Sequence, residues 1–113
     1  MKKFPYQNTY EKKYSEGLSV FEYEDSPFQM NGAIAHLDEA FGPKINKTFT
    51  ELFYMVDGEM DVEANGESVT LIKDDVYIAE PGKPHKLIGR KAKVFIVCNP
   101  PFDPSGLEMV EEK

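Results

Sequence analysis

The sequence predicts an all-β sandwich or barrel that forms one domain. Short segments rich in β-branched and aromatic residues recur along the chain, and clusters of Gly, Pro, Asn and Asp separate them. No convincing amphipathic helix of more than ten residues is present, and 113 residues suffice for a single hydrophobic core. We therefore expect a barrel built almost entirely of strands.

The N-terminal part of the chain contains the first two predicted strands. Residues 1–17 have no clean hydrophobic period and are interpreted as an arm, which either lies across a neighbouring subunit or is frayed. Residues 18–23 alternate in part and predict a first strand, and residues 32–37 predict a second strand of small residues. Residues 38–47 contain a Gly-Pro pair and predict a loop beside the mouth of a pocket.

The middle of the chain carries the strongest hairpin signal. Residues 50–56 predict a strand that ends in a turn at Asp57-Gly58. The sequence then alternates on both sides of Asn65-Gly66, and this pair favours a hairpin because both turn positions require positive φ. We therefore expect two strands joined by this tight turn.

The C-terminal part predicts three further elements. Residues 76–79 form a short apolar strand, and Pro81-Gly82 is a turn pair that precedes the strand beginning near His85. Residues 92–97 predict a last apolar strand, and the prolines after it end the sheet because proline cannot donate to a ladder. The barrel is thus expected to span residues 18–104, with an acidic tail at 105–113 that is a short helix or disordered.

Composition and charge limit the classes of partner. The net charge of -7 argues against nucleic acid, whose phosphates the protein would repel. No apolar run reaches the length of a membrane span, and the N-terminus lacks the pattern of a signal peptide, so a cytoplasmic location is the expectation. Cys98 is the single cysteine, which excludes an intrachain disulfide and any multi-cysteine metal site. Small molecules or proteins remain as partners.

A basic stretch surrounds His85 and has two interpretations. It is either a positive rim that draws an anionic substrate toward the pocket or a solvated strand face. Its residues are Lys83, Lys86, Arg90, Lys91 and Lys93.

Two stretches resemble the sequence motifs of the cupin superfamily. Glu51 followed by Gly58 matches the second half of the first motif, G-x5-H-x-H-x3,4-E-x6-G. The second motif, G-x5-P-x-G-x2-H-x3-N, is matched at Gly82 and His85, whereas Asp74, Glu80 and Gly89 replace its first Gly, its Pro and its Asn. The resemblance covers roughly residues 31–101. It implies a small single-domain cupin of the conserved-barrel, mannose-6-phosphate-isomerase-like type, with a jelly-roll barrel, also called a double-stranded β-helix, around a ligand cavity.

The histidine pair of the first motif is absent. Depending on the spacing, its positions are occupied by Lys44 and Asn46 or by Ile45 and Lys47. Of the four metal ligands that the family usually has, only Glu51 and His85 therefore carry over.

The sequence is also similar to ectoine synthase, a small cupin that lacks the same histidine pair. The iron of that family is held by the first-motif Glu, a Tyr on the strand before the second motif, and the second-motif His, and Glu51, Tyr77 and His85 fall at these positions. The resemblance implies these three residues as ligands of a divalent metal, namely iron, manganese or zinc. The alternative is a metal-free pocket in which Glu51 and His85 are hydrogen-bonded to each other and Tyr77 is part of the wall.

Three classes of function follow, and whether the chain is an enzyme stays open. The first is a metal-dependent lyase, isomerase or oxygenase that acts on a small polar or anionic metabolite in the cavity. The second is a metal-free enzyme in which Glu51 and His85 act as acid and base. The third is a metal-free cupin that binds a sugar or other metabolite without catalysis.

The period of two along the strand at Glu51 also predicts an interface. If Glu51 faces the cavity, Phe53 and Met55 face the same way. The opposite face then carries Leu52, Tyr54 and Val56. Small cupins generally pair through one sheet, so we expect a homodimer that covers this apolar face.

Overall fold

Strands make up most of the computed structural model, which describes residues 2–25 and 29–111. The described residues form nine strands and two 3-10 turns of three residues each, so no described helix has the length or apolar character to cross a membrane. The predicted all-β fold is confirmed. The strands are β1 (Tyr10–Ser15), β2 (Leu18–Glu22), β3 (Asn31–Leu37), β4 (Ala40–Asn46), β5 (Thr50–Ala64), β6 (Glu67–Leu71), β7 (Val76–Ala79), β8 (His85–Asn99) and β9 (Leu107–Met109).

The two long strands β5 and β8 hold the fold together. They pair antiparallel along nearly their whole length, from Thr50 opposite Asn99 to Glu63 opposite Lys86. The first half of β5 also pairs with β7, and its second half pairs with β6. The first half of β8 pairs with β4, and its second half pairs with β3. β1 and β2 extend the sheet beyond β3, and β9 extends it beyond β4. The result is one curled, antiparallel sheet whose inner face encloses the core.

A bend at Asp57-Gly58 carries β5 from one half of the barrel to the other. The sequence predicted a turn between two strands here, but the strand continues because the residues on both sides pair with β8. Gly58 has a φ of 75°, and a Cβ at this position would lie 2.1 Å from the carbonyl oxygen of Lys91. The position therefore requires glycine, and the turn-forming pair bends the strand instead of reversing it.

The hairpin at Asn65-Gly66 is confirmed. Ala64 lies opposite Glu67 across the two strands, and the φ angles of Asn65 and Gly66 are 54° and 75°. Both angles are positive, as the tight turn requires.

Three strands of the structure were not among the predicted strands. The predicted loop at 38–47 contains β4, which pairs with β8 and β9. The predicted arm contributes β1 to the sheet, and the predicted tail contributes β9. All six residues of β1 are exposed or partly exposed, so its sequence lacks the alternation of a half-buried strand.

The inner face of β5 shows the predicted alternation. Glu51, Phe53 and Met55 are buried on this face. Leu52, Tyr54 and Val56, which alternate with them, are less buried. The strand thus places a charged residue inside an otherwise apolar core.

Candidate functional site

A buried ion pair joins Lys44 of β4 to Glu51 of β5. The Nζ atom of Lys44 lies 2.9 Å from Oε1 of Glu51, and each residue is only 5% exposed. Two charges removed from water are tolerated only when they are paired and hydrogen-bonded to each other or to further groups. The pair is therefore the polar centre of the barrel interior.

Asn46 binds the same carboxylate oxygen as Lys44. Its Nδ2 atom donates to Oε1 of Glu51 at 3.0 Å, and the residue is fully buried. Among the residues that the structure describes, the other oxygen, Oε2, has the thiol of Cys98 as its one hydrogen-bond contact, with Sγ at 4.0 Å. Burial, with the nearby Glu51 charge, raises the pKa of this thiol to about 12. The thiol is thus a weak, neutral donor, and Oε2 is the oxygen that Glu51 can offer to a ligand.

His85 lies next to Lys44 because the two residues are opposite each other in the β4–β8 register. Its Nδ1 atom is 3.4 Å from the carbonyl oxygen of Lys83. A carbonyl oxygen only accepts, so this contact places the ring proton on Nδ1 and leaves a lone pair on Nε2. Nε2 is buried and has no hydrogen-bond partner among the described residues. Burial, followed by the Lys44 charge, lowers the pKa of His85, so the ring is neutral near pH 7.

Glu51 and His85 line different cavities. A cavity of about 80 Å³, which we call the Glu51 cavity, is lined by Glu51 and Lys44. His85 and Tyr77 line a second cavity of about 240 Å³. Phe53 lines the Glu51 cavity, and its ring also packs against those of His85 and Tyr77, with centroid distances of 6.5 and 6.1 Å. Glu51 accepts hydrogen bonds from Lys44 and not from His85, in contrast to the bond expected for a metal-free pocket.

The three predicted metal ligands do not fit a divalent cation in this arrangement. The Lys44 ammonium contacts the carboxylate that would bind the ion, and a second cation beside it would be repelled. Burial, with the nearby Glu80 charge, raises the pKa of Tyr77, which makes a phenolate ligand harder to form. In the ranges 2–25 and 29–111, no group of three or more His, Cys, Asp or Glu side chains is placed to hold a metal. These observations argue against a metal site formed by Glu51, Tyr77 and His85. That site remains a prediction, and the metal content of the purified protein would test it.

Glu22 is a residue of the Glu51 cavity that the sequence analysis did not single out. Leu18, Val20 and Glu22 are every second residue of β2, and all three line the cavity. The alternation of this strand was the available signal, since it places a carboxylate at a position that faces the core.

The part of the chain that matches a protein family includes residues that line both cavities. Residues 38–98 match the family model of the cupin domain. The chain is a cupin. The matched range contains Lys44, Glu51 and His85. No curated protein matches this cupin in sequence.

Solved structures share the fold of this cupin at low sequence identity. Pac13 from Streptomyces, a nucleoside dehydratase, superimposes with a TM-score of 0.85 at 14% identity, covering 98% of this chain and 92% of its own. KdgF from Halomonas sp. gives 0.76 at 18% identity, with 90% and 96% covered. Ectoine synthase from P. lautus gives 0.69 at 16% identity, with 88% and 80% covered. A variant of Pac13 has been solved with uridine, so a barrel of this shape binds a small molecule.

Proposed function

We propose that this cupin is an acid–base enzyme, a lyase or isomerase, that acts on a small polar metabolite without a resident metal. The observation that carries the proposal is the buried contact of 2.9 Å between Lys44 and Glu51. Lys44 occupies a position where the family usually has a histidine ligand, so its ammonium supplies positive charge beside Glu51. A metal would supply that charge in other cupins.

The ion pair has the parts needed for proton abstraction next to a carbonyl group. Oε2 of Glu51 accepts the proton from the substrate carbon, and a Lys44 N–H donates to the oxygen on which negative charge develops. Loss of a leaving group from the neighbouring carbon gives a lyase reaction. Return of a proton to the opposite face of the carbon that lost it inverts this carbon and gives an isomerase reaction. Both reactions use the carboxylate as the base and the Lys44 N–H as the donor to the substrate oxygen.

His85 is the second catalytic residue of the proposal. Its neutral ring and the free lone pair on Nε2 suit it to accept or return a proton. Phe53 packs against the His85 ring and also lines the Glu51 cavity, so its ring is a contact that the two parts of the proposed site share.

The lyase reaction has support from one of the structural relatives. Pac13 is a nucleoside dehydratase, and dehydration is a lyase reaction that removes water. Uridine is thus the first compound to titrate against this cupin, with Glu51→Gln as the variant that removes the proposed base. Binding without turnover of any compound tested would support the non-catalytic alternative.

Metal analysis tests whether the ammonium replaces a metal. Untagged protein is purified without chelator, incubated with iron(II), manganese(II) or zinc(II), desalted and analysed for bound ion. We expect the wild type to stay empty. The double variant K44H/N46H restores the histidine pair of the first motif and should bind about one ion per chain, since it then has four ligands with Glu51 and His85.

A different result in the wild type would overturn the proposal. Stoichiometric metal that is lost in both Glu51→Ala and His85→Ala would support the predicted Glu51, Tyr77 and His85 site. The function would then be that of a metal-dependent enzyme.

We also propose that two copies of the chain pair through the outer face of β5 and β7. This face carries Leu52 and Tyr54 of β5 and their cross-strand neighbours Ile78 and Val76. Val76 and Ile78 are more than half exposed, so a partner would remove apolar surface from water.

A further inference from the structure

Glu22 is a carboxylate in the Glu51 cavity with no partner of its own. The side chain lines the cavity from β2 and is partly buried. It forms no hydrogen bond or ion pair with another side chain in the part of the chain that the structure describes. A carboxylate in such a place interacts favourably with a positive group or a hydrogen-bond donor of a ligand.

The cavity has an excess of negative charge. Lys44 is the one basic residue among the described residues that line it, and its ammonium is paired with Glu51. The charge of Glu22 is therefore not compensated. Burial is the largest cause of the raised pKa of the Cys98 thiol, and the charges of Glu51 and Glu22 also raise it. The thiol is therefore close enough to both carboxylates to interact with them electrostatically.

The basic stretch around His85 does not compensate this charge. Lys83 pairs with Glu80 at 3.0 Å, and Arg90 binds Asp61 through two hydrogen bonds of 2.9 Å. The lining of the Glu51 cavity contains no residue of this stretch. An anionic ligand would thus enter a negatively charged cavity.

We propose that the Glu51 cavity binds the protonated amine of a small ligand, with Glu22 as its counter-ion. The Glu51 cavity is also the reaction site of the proposed function, so the amine is the proposed class of substrate, and the reaction itself rests on that proposed function. The walls are mostly apolar, so Phe41, Phe53 and their neighbours pack against the carbon skeleton. At about 30 Å³ per water molecule, the volume of about 80 Å³ corresponds to about three water molecules, which suits the amine end of a small ligand.

Three probes of matched size and different charge test this inference. n-Butylamine, n-butanol and butyrate share a short alkyl chain and carry a positive, neutral or negative head at neutral pH. Each is titrated against 15N-labelled protein, and affinity is taken from shifts of the amides around the cavity. We expect the wild type to bind the amine at least about fivefold more tightly than the alcohol, and butyrate most weakly.

Two variants make the comparison specific. Glu22→Gln keeps the shape of the side chain and removes its charge, so the amine and the alcohol should then bind equally. Glu11→Gln removes the same charge from β1, at an exposed position opposite the outward-facing Phe21, and should keep the wild-type preference. The ratio of the two affinities within one protein is compared, so a general loss of stability does not affect the result.

Three results would overturn the inference. They are equal binding of amine and alcohol by the wild type, a preference that survives in Glu22→Gln, and the absence of amine binding at the cavity. Metal content measured on the same samples separates this inference from the proposed function. Metal in a wild type that still prefers the amine through Glu22 contradicts only the proposed function, whereas a metal-free wild type without the preference contradicts only this inference.

Discussion

The ion pair between Lys44 and Glu51 makes a prediction at the scale of single residues. Replacing Lys44 by Met leaves the Glu51 charge buried without its counter-ion, and we expect a loss of about 3–5 kcal/mol in the free energy of unfolding. The double variant K44M/E51L removes both charges and should be much more stable than K44M alone, because an apolar pair of similar volume fits the surrounding core. Urea unfolding followed by circular dichroism measures all three proteins. Equal losses in the single and double variants would show that the two charges are not coupled.

Motif spacing left two pairs for the histidine positions, Lys44 with Asn46 or Ile45 with Lys47. In the structure Lys44 and Asn46 are buried beside Glu51. The spacing did not predict that Lys44 and Asn46 both donate to Glu51, because this depends on how far each side chain reaches once β4 and β5 are folded. It also did not predict that Glu51 and His85 line different cavities, because motif spacing does not specify where folded side chains leave open space.

At the scale of elements, the ion pair between Asp61 of β5 and Arg90 of β8 should make the stability of the fold depend on pH in the acid range. The Arg90 guanidinium, and then the Thr70 hydroxyl, lower the pKa of Asp61 from 3.8 to about 2. A carboxylate whose pKa is lower in the folded state contributes stability above its ordinary pKa and loses it as the pH falls through the folded value. We therefore expect Asp61 to contribute to stability at pH 5 and to lose this contribution between about pH 4 and pH 2.

Urea unfolding at several pH values measures this contribution. Asp61→Asn should be less stable than the wild type at pH 5, and the difference should shrink as the pH approaches 2. Asp57→Asn is the matched control, because Asp57 is an exposed carboxylate of the same strand. The expectation fails if both variants show the same dependence on pH. Solvent screens the Asp61–Arg90 pair because both side chains are at least partly exposed, so we expect a small effect.

Strands marked by alternation or by a turn pair were predictable, including the edge strands β6 and β7, whereas β1, β4 and β9 were not. The alternation in β5 and β6 and the Asn65-Gly66 turn are local signals that the structure reproduces. β4 contains Gly42-Pro43, a pair that is typical of a loop, and the register between Phe41 and Lys44 is irregular around it. β9 is three residues long and is held by pairing with β4. Such strands form because a neighbour offers free backbone groups, and a single sequence does not carry that information.

At the scale of the whole molecule, the outer face of β5 and β7 decides the oligomeric state. β7 pairs only with β5 among the described strands, so it is an edge of the sheet. Val76 and Ile78 on this strand are 51% and 53% exposed, and they continue the apolar face of Leu52 and Tyr54. An exposed apolar face beside a free strand edge favours association with another copy. We therefore expect the wild type to sediment as a dimer.

Replacement of Ile78 by Lys tests this interface. The charge lies at the centre of the proposed contact, on a residue that points away from the core, so it should dissociate the dimer without unfolding the chain. Met109→Lys introduces the same charge on β9, a different edge strand of the sheet, where the residue is 55% exposed. Sedimentation velocity should show a monomer for Ile78→Lys and a dimer for Met109→Lys. A monomeric wild type, or equal dissociation in both variants, would place the interface elsewhere or remove it, and β7 would then be a free edge in solution.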